Sequence, residues 1–444
     1  MTNSVPIKVE KYLNKFAVGN WKLNFRPGEK INNVIVIPAI CEYENIKRLL
    51  DSLLENGPKY FRSTLILFVI NNSVSSNEVV KNDNLKSLLF LKQLVLRKNI
   101  NNDPLIEKAL TSYLCFAFID AAAKGNELPK KNAGAGLARK IGMDLALTVF
   151  DYSSTAKKLL FCLDADCIVE KNYITSIVEN FNSRNLSSAV VNFRHQIGPD
   201  SETTEAIICY EIFLRYYVLG LKFARSRYAF HAVGSTIICD YESYIKAGGM
   251  NKQKAAEDFY FLEKIAKNAN VDRIDDTTVY PSSRKSWRVP FGTGQRINRF
   301  LQKNQNEYLL YNPESFTILK RWLNIFNSIE NFNAEEYLAE AEKIDNDLFN
   351  FLIEQNFLKD WEKILLNSKT KEQIFKQKIR WFDGFRTLKL IHYLRDKSYP
   401  LINMFDALDE MLKNFDIEPI ERNGISIPPI EIQIKYLEAL RKLT

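Results

Sequence analysis

Between residues 33 and 240 short apolar runs recur with helix-like segments among them, and from about residue 300 such runs vanish. The first, Asn33-Val34-Ile35-Val36-Ile37-Pro38, is rich in β-branched residues and closed by proline, as a buried strand entering a turn would be. Residues 44–54 then carry apolar side chains at helical spacing and stop at Asn56-Gly57-Pro58. Residues 64–70 read as a second strand ending at Asn71-Asn72-Ser73, residues 93–96 as a third, and 158–163, 187–193 and 235–239 as later ones. Strand, helix and strand at this spacing predict right-handed βαβ units and a mostly parallel sheet flanked by helices. Beyond it, 335–352, 359–366, 371–394 and 403–415 read as amphipathic helices. A chain of 444 residues exceeds the usual size of one core. The expected division is an N-terminal arm over 1–32, an α/β domain over 33–300 and an all-helical C-terminal domain over 301–444.

The run 158–163 ends in Asp164-Ala165-Asp166. Two carboxylates on alternate residues at the C-terminal tip of a central strand lie where open α/β sheets place their ligands. Their oxygens only accept, which suits a hard divalent cation that keeps some waters and shares a diphosphate. Asp is also favoured in ordinary turns, so the pair alone decides nothing. Downstream, Glu257-Asp258 opens a helix-like segment over 259–268 and offers a second acidic site. A glycine-rich stretch, His231-Ala232-Val233-Gly234-Ser235-Thr236 through Gly248-Gly249-Met250, lies between the two. Together these features suggest transfer of a sugar from a nucleotide donor.

Val34 through Ile46, Asn132-Ala133-Gly134-Ala135-Gly136-Leu137-Ala138-Arg139, Asp164-Ala165-Asp166, and Gly248-Gly249-Met250 followed by Ala256-Glu257-Asp258-Phe259 stand in order along the chain. This ordered set, covering roughly residues 33–300, resembles family 2 glycosyltransferases of the GT-A fold, Rossmann-like in their sheet. The resemblance implies a nucleotide-diphosphate sugar donor, a hydroxyl acceptor and a Mn²⁺ or Mg²⁺ ion. It implies Asp166 as the direct metal ligand, with Asp164 nearer the donor ribose or reaching the metal through water. Asp258 matches the family's general base; its other reading is a helix-N-terminal carboxylate favoured by the dipole. With one base on the face opposite the leaving group, displacement would invert the anomeric centre.

Pro38 and Glu44, in the opening strand and helix, and Arg139, which either approaches donor phosphate or base or forms a structural surface pair, are the further donor-side candidates. Asn71-Asn72-Ser73 stands where the family usually shows acidic residues. The Asn71 amide can both donate to and accept from a base edge, which leaves uridine and guanosine donors open. His231 is read as a third metal ligand or as a hydrogen-bonded structural histidine. The basic stretch Ser282-Ser283-Arg284-Lys285-Ser286-Trp287-Arg288-Val289-Pro290-Phe291-Gly292-Thr293-Gly294-Gln295-Arg296 is punctuated as a loop, and its cations, Arg288 among them, are expected to close over the diphosphate. Gln295-Arg296 resembles the Gln-x-x-Arg-Trp signature of processive members only faintly, since no Trp follows.

Net charge is +8, from 61 Lys and Arg against 53 Asp and Glu; this favours anionic ligands without indicating nucleic acid. The longest apolar stretch, Tyr113-Leu114-Cys115-Phe116-Ala117-Phe118-Ile119, stops at Asp120, well short of the roughly 18 residues of a membrane span. Six cysteines without a Cys-x-x-Cys pair, and an N-terminus without the layout of a signal peptide, read as a reduced cytoplasmic protein. Residues 369–397 are basic, with Trp381, Phe382 and Phe385 interleaved. Such helices either meet an anionic membrane or acceptor or pack their aromatics against the protein. Two other classes compete. A non-catalytic nucleotide or sugar sensor could use the same fold with a helical partner-binding tail, whereas a nucleotidyltransferase wants a glycine-rich loop after the first strand, where Pro38-Ala39-Ile40-Cys41 offers none.

Overall fold

All eight residues of Thr64–Asn71 are buried, and six of the seven in Asn33–Ala39. A strand apolar on both faces needs cover on both sides, which is the condition of a parallel sheet in an α/β protein. The computed structural model describes residues 5–19, 21–26, 28–198, 200–254, 256–285, 292–303, 305–328 and 332–444. Its contacts divide the chain into two units, one of residues 1–196 with 232–295, the other of residues 197–231 with 296–444.

The first unit is built on nine strands: β1 (Leu23–Phe25), β2 (Asn33–Ala39), β3 (Thr64–Asn71), β4 (Cys115–Ala121), β5 (Leu159–Cys162), β6 (Ile168–Val169), β7 (Ser188–Phe193), β8 (Ile237–Asp240) and β9 (Asp272–Tyr280). They lie in the order β1-β4-β3-β2-β5-β8-β7-β9-β6. The pairings make β2, β3, β4, β5, β7 and β9 point one way, with β1, β8 and β6 reversed. The helices, in chain order, are α1 (Ile7–Phe16), α2 (Tyr43–Leu54), α3 (Glu78–Leu96), α4 (Pro104–Thr111), α5 (Ala135–Ala146), α6 (Tyr173–Ser183), α7 (Ser201–Phe223, in the second unit), α8 (Tyr241–Lys246) and α9 (Glu257–Ala266). The mostly parallel α/β sheet flanked by helices, followed by a helical C-terminal region, is the expected class.

Several local expectations change. Residues 93–96 are the last turn of α3, not a strand. Asn77 caps that helix, accepting from the Val80 amide at 3.0 Å, and Val80, Phe90, Leu91 and Leu94 recur at helical spacing on its buried side. The third parallel strand is instead β4, the apolar run that came closest to a membrane span. Gly234–Thr236 forms a tight turn and β8 starts only at Ile237. The N-terminal residues are more than an arm. β1 pairs with β4, and on α1 Tyr12 donates to Asp144 at 2.8 Å, beside the buried Lys140–Asp144 pair at 3.0 Å.

The second unit includes α7, from within the span expected for the α/β domain, packed against Pro313–Phe326 and Ile430–Leu443. Two expected long helices are each split by an aspartate. Asp345 accepts from the amides of Asp347 (2.8 Å) and Leu348 (3.0 Å) and starts Asn346–Glu354; Asp383 accepts from Arg386 (2.9 Å) and starts Gly384–Asp396. An Asp side chain satisfying the free amides of a first turn favours a new helix over a continued one. Trp381 and Phe382 are core residues here, packed with Trp322, Phe326 and Phe357. Lys378 is buried as well, its Nζ 5.5 Å from the Tyr337 ring centre and donating to the Ser328 carbonyl at 3.1 Å. Among the described residues no helix is long and apolar enough to cross a membrane. All six cysteines are free thiols.

Candidate active site

The tips of β2, β3 and β5 lie side by side, and each carries polar residues into the next turn. After β2, Cys41 takes a left-handed conformation (φ 56°) and is held by its amide donating to Asn84 Oδ1 at 2.9 Å. Glu42 follows at the start of α2, buried. After β5 come Leu163 and the acidic turn, closed by the Cys167 amide donating to the Asp164 carbonyl at 3.1 Å. Gln196 Nε2 donates to the Asp166 carbonyl (3.0 Å) and the Tyr280 carbonyl (2.8 Å), fixing the turn to the end of β9.

Two guanidiniums hold the two carboxylates of the turn. Arg139, buried on α5, donates to Asp164 and to Glu257. Arg284 donates to Asp166 (Nε to Oδ2 3.0 Å) and to Glu42, whose other oxygen accepts from Asn45 at 2.6 Å. Small residues permit this closeness. A Cβ on Gly136 would lie 2.2 Å from the Gln253 carbonyl oxygen and 3.0 Å from Glu257 Cβ; one on Gly234 would lie 2.7 Å from both terminal nitrogens of Arg139. Ala256, directly before Glu257, is also left-handed (φ 59°). Non-glycine residues in that conformation each cost about 1–3 kcal/mol and persist where the surroundings enforce them.

The electrostatics follow from burial. The carboxyls of Glu257 and Asp258 are both pushed up, first by burial, with Arg139 pulling them back down. Asp258 also accepts from the Phe259 amide at 2.7 Å. Arg284 stays firmly protonated: burial would lower its pKa, but Asp166 and Glu42 more than offset that.

The chain therefore brings Asp164, Arg139 and Glu257 into one ion-pair network, with Asp258 next to Glu257 and influenced by the Arg139 charge, and with Asp166 two residues from Asp164 in a second ion pair. Glu44 points to solvent in the first turn of α2; Glu42 is the carboxylate of that stretch that meets Arg284. Pro38 sits within β2 opposite Val69. Both amide hydrogens of Asn71 are spent on the carbonyls of Ala39 (3.0 Å) and Val69 (3.1 Å), which ties two strand tips together. His231 is buried and belongs to the second unit. Arg288 lies outside the described residues, as do the rest of 286–291; residues 293–296, expected as loop, begin the helix Thr293–Gln302. Glu42, Arg284 and Gln196 are the residues that sequence reasoning did not single out. Glu42 lies in the opening strand–helix segment and Arg284 in the basic stretch, but only the fold pairs residues 242 positions apart. Among the described residues no group of three or more His, Cys, Asp or Glu side chains is gathered as a ready metal cage.

No family model matches the chain, and no curated protein matches it in sequence. Solved structures that it resembles include S. aureus TarS 1–349 in complex with UDP-GlcNAc, at 15% identity and a TM-score of 0.38 over 83% of this chain and 88% of that one. Another is the mannosyltransferase PcManGT from Pyrobaculum calidifontis in complex with GDP-Man and Mn²⁺, at 11% identity and a TM-score of 0.35 over 87% and 92%.

Proposed function

We propose that the chain is an inverting glycosyltransferase of the family 2, GT-A type, moving a sugar from a nucleotide-diphosphate donor to a hydroxyl acceptor with a Mn²⁺ or Mg²⁺ ion. The observation that carries this reading is the ion-pair network through Arg139, which joins the acidic turn at the strand tips to Glu257, the residue before Asp258 at the head of α9. In this reading the donor side and the base side adjoin each other.

The donor set fits the ion. Asp166 and Asp164 supply hard oxygen ligands, and Mg²⁺ or Mn²⁺ is usually held by one or two carboxylates plus substrate phosphates rather than by a protein cage. When bound, such an ion neutralises charge developing on the diphosphate leaving group. The protein's own part is positional and acid–base. Arg139 holds Asp164 and Glu257 in place. Asp258 accepts the proton of the acceptor hydroxyl. Asn71 meets the base only through its carbonyl oxygen, because its two donors are already used. Pro38, Glu44 and Arg288 are the further donor contacts in this reading.

A thermal-shift series with nucleoside diphosphates tests it. The correct nucleotide at a hundred times its dissociation constant stabilises the fold by about 2.7 kcal/mol, and the shift should need Mn²⁺ or Mg²⁺ and disappear in Asp166→Asn. Shifts indifferent to chelator and to that substitution would remove the metal role; no shift with any nucleotide would remove the donor.

A further inference from the structure

Helix α3 is apolar on two faces. Val80, Phe90, Leu91 and Leu94 are buried, yet Leu85, Leu89 and Leu96 are 54%, 56% and 53% exposed. At about 100° per residue these three leucines fall within roughly 40° of one another, so they form a stripe along the outer side. Val74 and Val79 at the start of the segment (56% and 71%) and Ile100 just after it (72%) are exposed too. Among the described residues, six of the nineteen exposed large apolar side chains therefore lie within residues 74–100. Apolar residues scattered singly over a surface need no explanation; a gathered patch marks a contact surface.

Charge identifies the partner. Lys86, Lys92, Arg97 and Lys98 are exposed along and beyond the stripe. The acids of the helix are already engaged: Glu78 pairs with Lys81 at 3.0 Å, and Asp83 accepts from the Tyr43 amide at 3.1 Å. An exposed apolar stripe edged by cations is the pattern of a helix lying in a lipid headgroup region. We propose that the outer face of α3, with the turns at both its ends, seats the protein on an anionic lipid surface. The leucines enter the boundary between headgroups and acyl chains while the lysines meet lipid phosphates. A second copy of the chain fits this face less well, because a two-fold contact presents the same lysines to one another.

The placement has a consequence for the site. The N-terminal end of α3 lies at the strand tips, where Asn84 donates to the Asn71 carbonyl (3.0 Å) and to Asn72 (2.8 Å). Seating α3 brings that edge of the sheet towards the membrane. If the transferase reading holds, this seating favours an acceptor hydroxyl carried on a lipid; the seating itself does not depend on that reading.

Flotation of the full chain with phosphatidylcholine vesicles, with and without phosphatidylserine, tests the proposal independently of turnover. Binding should require phosphatidylserine and weaken as salt rises. Leu89→Glu combined with Leu96→Glu should reduce it about tenfold or more, with an unchanged melting temperature because both side chains are exposed. Lys86→Glu with Lys92→Glu should reduce it as well. Lys371→Glu with Lys376→Glu, in the basic C-terminal region, should not. Three results would overturn the proposal: no binding to phosphatidylserine vesicles, equal binding by the leucine variant, or loss only in the C-terminal variant. A concentration-dependent dimer abolished by the leucine variant would reassign the face to self-association.

Discussion

We predict that neutralising Arg284 makes the acidic turn a better cation site. Its guanidinium contacts Asp166 at 2.9–3.0 Å and also holds Glu42, so an incoming divalent ion must break this pair to take the Asp166 oxygens. Two unit charges 4 Å apart interact by about 4 kcal/mol at an effective dielectric of 20. The Arg284 side chain is 33% exposed and the Asp166 side chain 24%. Water screens the pair and discounts the net effect to about 1–2 kcal/mol. Since about 1.4 kcal/mol is tenfold, Arg284→Gln should bind Mn²⁺ roughly 5- to 30-fold more tightly without nucleotide. Asp166→Asn should bind it more weakly than wild type. Electron paramagnetic resonance of free Mn²⁺ during titration reads both variants without any need for donor or acceptor. Affinity unchanged or lowered in Arg284→Gln would refute the counter-ion role. Affinity unchanged in Asp166→Asn would move the cation elsewhere.

Other substitutions test the remaining parts of the network. Asp258→Asn should lower turnover by about 10²–10⁴, the usual contribution of a positioned base, with donor affinity almost unaltered; near-wild-type transfer would dismiss Asp258 as the base. Arg139→Met strands the buried Glu257 and the turn carboxylate Asp164, so denaturant unfolding should show a loss of about 3–5 kcal/mol, partly recovered when Glu257→Gln is added. Burial raises the folded-state pKa of Glu257 above its ordinary 4.5. Across the window from 4.5 up to that raised value the folded protein keeps a proton the unfolded chain has released, so stability falls as pH rises. Melting curves against pH should therefore show a declining limb that Glu257→Gln flattens; an identical limb in the variant would exclude Glu257 as its source. Tyr12→Phe removes one hydrogen bond to buried Asp144 and should cost about 1–2 kcal/mol in the same unfolding assay.

Strands were legible where burial was continuous. Thr64–Asn71 and Ser188–Phe193 match the apolar runs to within a residue, because a strand covered on both faces has no polar phase to obscure it. Residues 93–96 misled for the opposite reason. Taken alone, Gln93 to Leu96 has a strand's composition, and only the Asn77 cap sixteen residues earlier reveals the helix it ends. α7 escaped because its apolar residues surround it, and a helix packed on several sides has weak amphipathic periodicity. At the site, the carboxylates announced themselves through local spacing, two at a strand tip and two at a helix start. Arg139 stood out through its glycine-rich segment, but the pairing of either arginine with a carboxylate did not. Arg139 meets Glu257 across 118 positions and Arg284 meets Glu42 across 242, distances at which no periodicity operates.

The cost of this cluster bears on the choice between an enzyme and a binding protein. Burying ion pairs seldom strengthens a fold, since desolvation offsets most of the attraction and apolar replacements are often as stable or more so. Here a buried arginine, a buried glutamate and two raised carboxyls are packed at the strand tips, with two left-handed non-glycine residues, Cys41 and Ala256, immediately before Glu42 and Glu257. None of this improves the core, which the apolar strands already supply. Binding a nucleotide diphosphate requires cations and oxygen ligands, and the acidic turn with its two arginines would suffice for that. Two adjacent carboxyls with pKa values pushed upward are not needed to hold an anionic ligand, and like charge opposes them there. In the transferase reading one of them, Asp258, takes up the proton of the acceptor. Asp258 is therefore the residue on which the enzyme reading turns: a binding protein would keep its nucleotide affinity in Asp258→Asn and have no turnover to lose, whereas a transferase would keep the affinity and lose the reaction.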